Sequence, residues 1–127
     1  MAYTQLLNDI LGLLGNVDLY SKVMIGSMPT DNGIAMYLSP GAPDIIDLKK
    51  NTINEIPLVV NAKHESQLTC LQALSDIHLH LTTLKDYPNN ILDIETGTSP
   101  NYLDREENGQ WLYGSILNIK FEIRSDN

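Results

Sequence analysis

The stretch Gln110-Trp111-Leu112-Tyr113-Gly114-Ser115-Ile116-Leu117-Asn118-Ile119-Lys120-Phe121-Glu122-Ile123-Arg124 decides the fold of this chain. Trp111, Tyr113, Leu117, Ile119, Phe121 and Ile123 alternate with Gly114, Asn118, Lys120, Glu122 and Arg124. A period of two places apolar side chains on one face of a β-strand and polar ones on the other. Strands usually run about five or six residues. One as long as 110–124 therefore belongs in the middle of a sheet, or projects beyond the domain to meet a neighbour.

Immediately upstream, the segment Gly97–Gly109 is rich in Asn, Gly and acid and reads as loop. Before it, Ile91 to Glu95 reads as a strand, and Asp86-Tyr87-Pro88-Asn89-Asn90 as a helix terminator. The segment from Glu65 to about Leu84 is the clearest helix. At about 100° per residue, Cys70, Ala73, Leu74, Ile77, Leu81 and Leu84 fall on one face, a core stripe. Leu68 and Leu79 fall on the opposite face, among Gln72, Ser75 and Thr82. Two leucines on a wet face are ordinary surface residues or the mark of an intersubunit contact.

At the other end of the chain, Leu6, Ile10 and Leu14 recur at four-residue spacing, and Leu7, Leu11 and Leu13 widen the stripe. A short amphipathic helix from Ala2 to Leu14 follows, stopped by Gly15-Asn16. Lys22 to Ser27 and Ile34 to Leu38 read as short strands joined through Pro29-Thr30-Asp31-Asn32-Gly33, where Asn-Gly is a hairpin signal. Ser39 to Asp44 holds two prolines and a glycine and reads as loop. Lys50 to Ala62 reads as a third strand, in which Pro57 implies an edge position or a bulge. The order α-β-β-β-α-β-β defines an α+β fold: a two-layer domain with a mixed or antiparallel β-sheet packed against two helices.

Composition bounds what such a domain does. The 127 residues predict a single domain spanning 1–127 that buries roughly two-thirds of its unfolded surface. One cysteine excludes an internal disulfide and a multi-cysteine metal site. The formal charge is −8, from 16 acidic and 8 basic side chains. Residues 1–63 carry six acids and four bases, and residues 64–127 carry ten and four. Stable nucleic-acid binding and docking on an anionic membrane are disfavoured, because no basic cluster offsets the deficit. Met1-Ala2-Tyr3-Thr4-Gln5 lacks the basic start of a signal peptide, and no apolar run approaches a membrane span, so the expectation is a soluble, intracellularly made domain. In the second half Asp104, Glu106 and Glu107 gather around Arg105. They form either a solvated loop or a surface that repels something anionic.

Catalytic patterns are largely missing. Neither a Gly-rich phosphate loop nor a G-x-S-x-G elbow occurs. Cys70 lies on the core stripe and reads as a buried small hydrophobe. His78 and His80 are about 160° apart on a helix and cannot share one metal, and His64 is remote from both. Asp76 and His80, at i and i+4, share a face; a surface ion pair is expected there, and a hydrolase using the two is the least favoured reading. Asp93 and Glu95 share one strand face without a nucleophile or an aromatic platform, since Trp111, Tyr113 and Phe121 are committed to one strand. No enzymatic activity, metal or cofactor is expected.

The order of segments then becomes recognisable. Gly33-Ile34-Ala35-Met36-Tyr37, the Pro40-Gly41-Ala42-Pro43 loop and a strand through Leu58-Val59-Val60 resemble the phage minor capsid protein family. So do the helix from Gln67 to Leu81 and the closing run of Thr98-Ser99-Pro100-Asn101-Tyr102, an acidic segment and Gly109-Gln110-Trp111-Leu112-Tyr113. Here Leu103-Asp104-Arg105-Glu106-Glu107 keeps the family's acid and postpones its glycine to Gly109. That family is similar in architecture to the tail-terminator (tail-completion) proteins of long non-contractile-tailed phages. The resemblance implies a structural virion protein, made in the host cytoplasm, that forms a hexameric ring on the tail-tube protein, stops tail growth and offers the head-completion or neck protein a docking surface. It implies no catalytic residues. Leu68, Leu79, Trp111 and Tyr113 are then subunit-interface candidates. Asp104, Glu106 and Glu107 are candidates to face a channel through which genomic DNA passes without stable binding, and no membrane is involved. Two other readings stay open: a neck or head-completion protein of the same junction, and a small α+β regulatory module that binds a ligand or partner.

Overall fold

The computed structural model describes residues 2–39, 45–46 and 52–123. Helix α1 (Ala2–Leu14) is followed by strands β1 (Val23–Ile25), β2 (Gly33–Leu38), β3 (Ile45–Ile46) and β4 (Thr52–His64). Helix α2 (Gln67–Thr82) and strands β5 (Ile91–Arg105) and β6 (Trp111–Ile123) complete the chain. The sheet runs β1-β2-β4-β6-β5, with β3 paired to β4 off that path. The fold is α+β in the expected order, with the two-residue β3 as an addition; the rest of the expected loop 40–44, like Arg124, lies outside the described residues.

Strand β6 is interior, between β4 and β5, and its ladder with β4 runs in unbroken antiparallel register from Thr52–Ile123 to His64–Trp111. The alternation of β6 has a direct structural counterpart. Leu117, Ile119 and Phe121 point into the core beside Leu58, Val60 and Ala62 of β4 and Ile34 and Met36 of β2. Both helices cover this face: Leu6, Ile10 and Leu14 of α1 join Cys70, Ala73, Leu74, Ile77 and Leu81 of α2 in one buried cluster. The opposite sheet face carries Tyr37, Glu55, Val59, Asn61, Leu112, Ile116 and Lys120. No described helix covers it.

Helix α2 begins where Ser66, in extended conformation, caps the first turn by accepting from the Thr69 amide at 3.3 Å. His64 Nδ1 in turn accepts from the Ser66 amide at 3.0 Å, so the exit from β4 and the entry to α2 are fixed together. At the far end Tyr87 Oη donates to the Leu81 carbonyl, one of the acceptors a helix terminus leaves free. Leu84, expected on the core stripe, lies just past the helix and is half-buried.

Four sequence expectations are corrected here. The Asn32-Gly33 turn does not close a hairpin, because β1 and β2 pair in parallel, Val23 opposite Ile34. The chain instead leaves β1 at Gly26, whose φ of 103° suits glycine, and doubles back. That return loop is held from outside: Lys63 Nζ donates to the Pro29 carbonyl, Gln110 Nε2 to Asn32 Oδ1 and Tyr20 Oη to the Gly33 carbonyl. Pro57 makes neither an outer edge nor a bulge. Its carbonyl accepts from Ser39 just where β2 ends, so the absent N–H faces away from the β6 ladder.

The third correction is larger. Residues 97–105 are not loop; β5 continues through them to Arg105, and only Glu106–Gln110 turns. Four register irregularities against β6 break the alternation. As the outer half of an edge strand is exposed on both faces, no hydrophobic period marks it. Gly114 lets this strand approach: a Cβ there would meet Leu103 Cδ1 at 2.6 Å and Asn61 Oδ1 at 2.7 Å. The fourth concerns Asp76 and His80, described next.

Candidate interaction surfaces

Asp76 and His80 do not pair. His80 Nε2 donates to the Leu13 carbonyl at the end of α1 (3.0 Å), and Asp76 accepts from Gln72 at 2.7 Å. A carbonyl one helix away, invisible to i,i+4 counting, outcompetes the carboxylate. Cys70 is fully buried, and burial pushes its thiol up, which disfavours the thiolate. Asp93 and Glu95 do share the open sheet face, opposite Lys120 and Asn118. Among the described residues no group of three His, Cys, Asp or Glu could hold a metal ion, and no helix is long and apolar enough to cross a membrane.

His78 is the exception to an otherwise apolar stripe. It is buried between α2 and β5, with Nδ1 sharing a 2.9 Å hydrogen bond with Thr96 Oγ1 and Nε2 without a partner. Burial holds its imidazole below the ordinary 6.5. The unfolded chain therefore takes up the proton first as pH falls, and stability is lost from about pH 6.5 down to the lowered native value. Urea unfolding of the wild type at pH 7.5 and pH 5 should show this loss. In His78→Met the loss over the same interval should be smaller, carboxylate contributions being common to both proteins.

Two patches remain on the surface. The first lies on α2. Leu68 is 77% exposed and Leu79 65%, the two most exposed large apolar side chains among the described residues. Leu68 borders a groove of about 310 Å³ between α2 and residues 18–20, which Asp18 and Asp76 also line and no basic side chain does. Tyr20 also lines it; its single O–H is shared between the carbonyls of Gly33 (2.7 Å) and Lys63 (2.9 Å), and burial pushes the phenol up.

The second patch lies where the β5–β6 hairpin ends. Tyr102 packs edge-on against both Trp111 and Tyr113, each 6.0 Å between centroids, and the Arg105 guanidinium sits 4.6 Å over the Trp111 ring. Trp111 and Tyr113 are half-buried, and Tyr113 Oη donates to Gln67 at the start of α2. The interface candidates Trp111 and Tyr113 thus belong to a platform whose exposed members, Tyr102 and Arg105, the sequence reading left in a loop. The signal available was the Asn101-Tyr102-Leu103 run facing Trp111-Leu112-Tyr113 across a short turn.

The three acids differ in their surroundings. Glu106 makes a 2.7 Å ion pair with Lys63, itself almost buried and bonded to Pro29. Asp104 lies on the opposite side of β5 from Tyr102 and Arg105, across from Leu112, and Glu107 is exposed in the turn.

The fold and its surfaces define a small two-layer α+β domain with one open sheet face, an outer helix face bearing two exposed leucines and an aromatic hairpin end. No family model and no curated protein matches the chain. Its fold is similar to that of a chain in the virion of a native gene transfer agent particle: TM-score 0.57 at 14% identity, covering 95% of this chain and 91% of that one.

Proposed function

We propose that this protein is a structural component of a phage-like particle and acts as its tail terminator, a ring at the head-proximal end of the tail tube that stops tail growth and supports head–tail joining. The observation that carries the reading is the near end-to-end likeness of fold to a chain of the gene transfer agent virion. The order of segments that resembles the minor capsid family supports the finer assignment. In this reading the protein works by shape and self-association, as a hexamer, with no catalytic role and no cofactor. It meets the tail-tube protein on one side and the head-completion or neck protein on the other, at the head–tail junction of virions assembled in the host cytoplasm.

The charge fits a conduit. An acidic wall does not retain phosphates, so genomic DNA passes without stable binding. In this reading Asp104 and Glu107 supply such a wall, while Glu106 is already paired with Lys63. A ring in which this turn points outward would sink the lumen assignment.

Electron microscopy of particles from a mutant lacking this protein tests the function. Separate heads with overlong or unterminated tails are expected. Tails of normal length beside unjoined heads would move the protein one storey up, to a neck or head-completion role. Normal joined virions would defeat both.

A further inference from the structure

The two patches are complementary in kind and flank the start of α2, one toward residues 18–20 and the other toward the β5–β6 hairpin. One is a groove with two carboxylates, Asp18 and Asp76, and an exposed leucine at its rim. The other is an aromatic platform carrying a cation, Arg105, which makes no ion pair among the described residues. We infer that the hairpin end of one copy, Tyr102 and Arg105, docks into the Leu68 groove of the next copy, with Arg105 against Asp18 and Asp76. This rests on the ring reading and names the surfaces that close the ring.

The occupant follows from charge. At −8 per chain, two copies repel each other, and a contact that brings an exposed cation to an acidic site offsets that repulsion. Lys63 is buried in its own ion pair and is not available. Arg105 is exposed, and its stacking on Trp111 holds the guanidinium in one orientation. Tyr102, 53% exposed, and Leu68 supply the apolar contact beside that pair. Aromatic and arginine side chains are the residue types that carry interface energy.

The contact is head-to-tail, because the two patches share no residue, and a head-to-tail contact closes into a ring where its rotation closes. Sheet extension at the β5 edge is the competing way to join copies. The four irregularities of that strand, together with Pro100, Asp93 and Glu95 along it, are devices that block strand addition. Docking through side chains is the way left open at this edge. It also leaves Asp104, on the other side of β5, free to face away from the neighbour.

The test uses the full chain, with and without tail-tube protein, and reads assembly by analytical ultracentrifugation. Arg105→Glu alone, and Asp18→Lys with Asp76→Lys, should each weaken self-association by about tenfold or more. Mixing the two variants should restore heterologous contacts between unlike copies. A second readout does not depend on charge: Leu68→Cys combined with Tyr102→Cys should give, on mild oxidation, a ladder of covalent oligomers, while either cysteine alone gives none. The native thiol, Cys70, is buried and does not compete. Assembly that is unchanged in the charge variants and gives no ladder overturns this contact and leaves the ring reading standing. A wild-type chain that stays monomeric at every concentration, tail-tube protein included, overturns both.

Discussion

Leu74→Ala should lower the free energy of unfolding by about 2–5 kcal/mol, the range for removing a fully buried leucine from a core that cannot collapse around the gap. Leu74 is at 0% exposure on α2, in the cluster that joins both helices to β2, β4, β5 and β6. The cost has two parts, the lost transfer energy of the deleted carbons and the cavity left behind. That cavity is hard to close because its walls are a helix and a sheet whose central ladder is in unbroken register. Urea titration at neutral pH should show the midpoint falling with the m-value unchanged. Leu68→Ala, on the same helix, is the control. With 77% of Leu68 already in water, its substitution should move stability by no more than about 0.5 kcal/mol. A comparable loss at the two positions would mean that the helix is seated the other way round.

Glu106→Ala should cost about 2–3 kcal/mol. Lys63 Nζ is held by two acceptors, Glu106 at 2.7 Å and the Pro29 carbonyl at 3.0 Å, with its side chain only 7% exposed. Deleting the carboxylate leaves a nearly buried ammonium with one neutral partner, and uncompensated buried charge is the expensive outcome of breaking such a pair. Because Glu106 is one-third exposed, the figure sits below the full range for buried pairs. Removing both charges is a different experiment. Lys63→Met combined with Glu106→Leu should recover most of the loss, since no stranded charge remains. Equal losses in the single and double variants would show that the hydrogen-bonded turn matters rather than the charge.

These two residues also mark the limit of what could be read from the chain. Leu74 was legible: its position on a 100° stripe with Cys70, Ile77 and Leu81 predicts burial, and the structure buries all four. The interior position of β6 was legible from its length, which placed it in the middle of the sheet or projecting to a neighbour; the structure puts it between β4 and β5. Glu106 was legible only as charge. Its partner is 43 positions upstream on another strand, and local spacing has no access to it. The same holds for His80, whose acceptor is a backbone carbonyl on α1. The outer half of β5 was hidden by its exposure on both faces, because the hydrophobic alternation that reveals strands exists only where one face is dry. Hence the Tyr102–Arg105 half of the proposed contact was missed, while Leu68, a leucine out of place on a wet helix face, was not.

The unbroken β4–β6 ladder has a consequence for how the chain folds. Even its nearest pair, His64 with Trp111, joins residues 47 positions apart, with α2 and β5 in between. The β5–β6 hairpin, closed by a five-residue turn, involves no comparable loop-closure cost and can form early. Until β4 arrives, one edge of β6 is unpaired, with Leu117, Ile119 and Phe121 uncovered beside it. Copies that fold close together pass through that interval exposed to one another. The rate at which β4 closes on β6 therefore sets how long each chain is open to sticking to its neighbours.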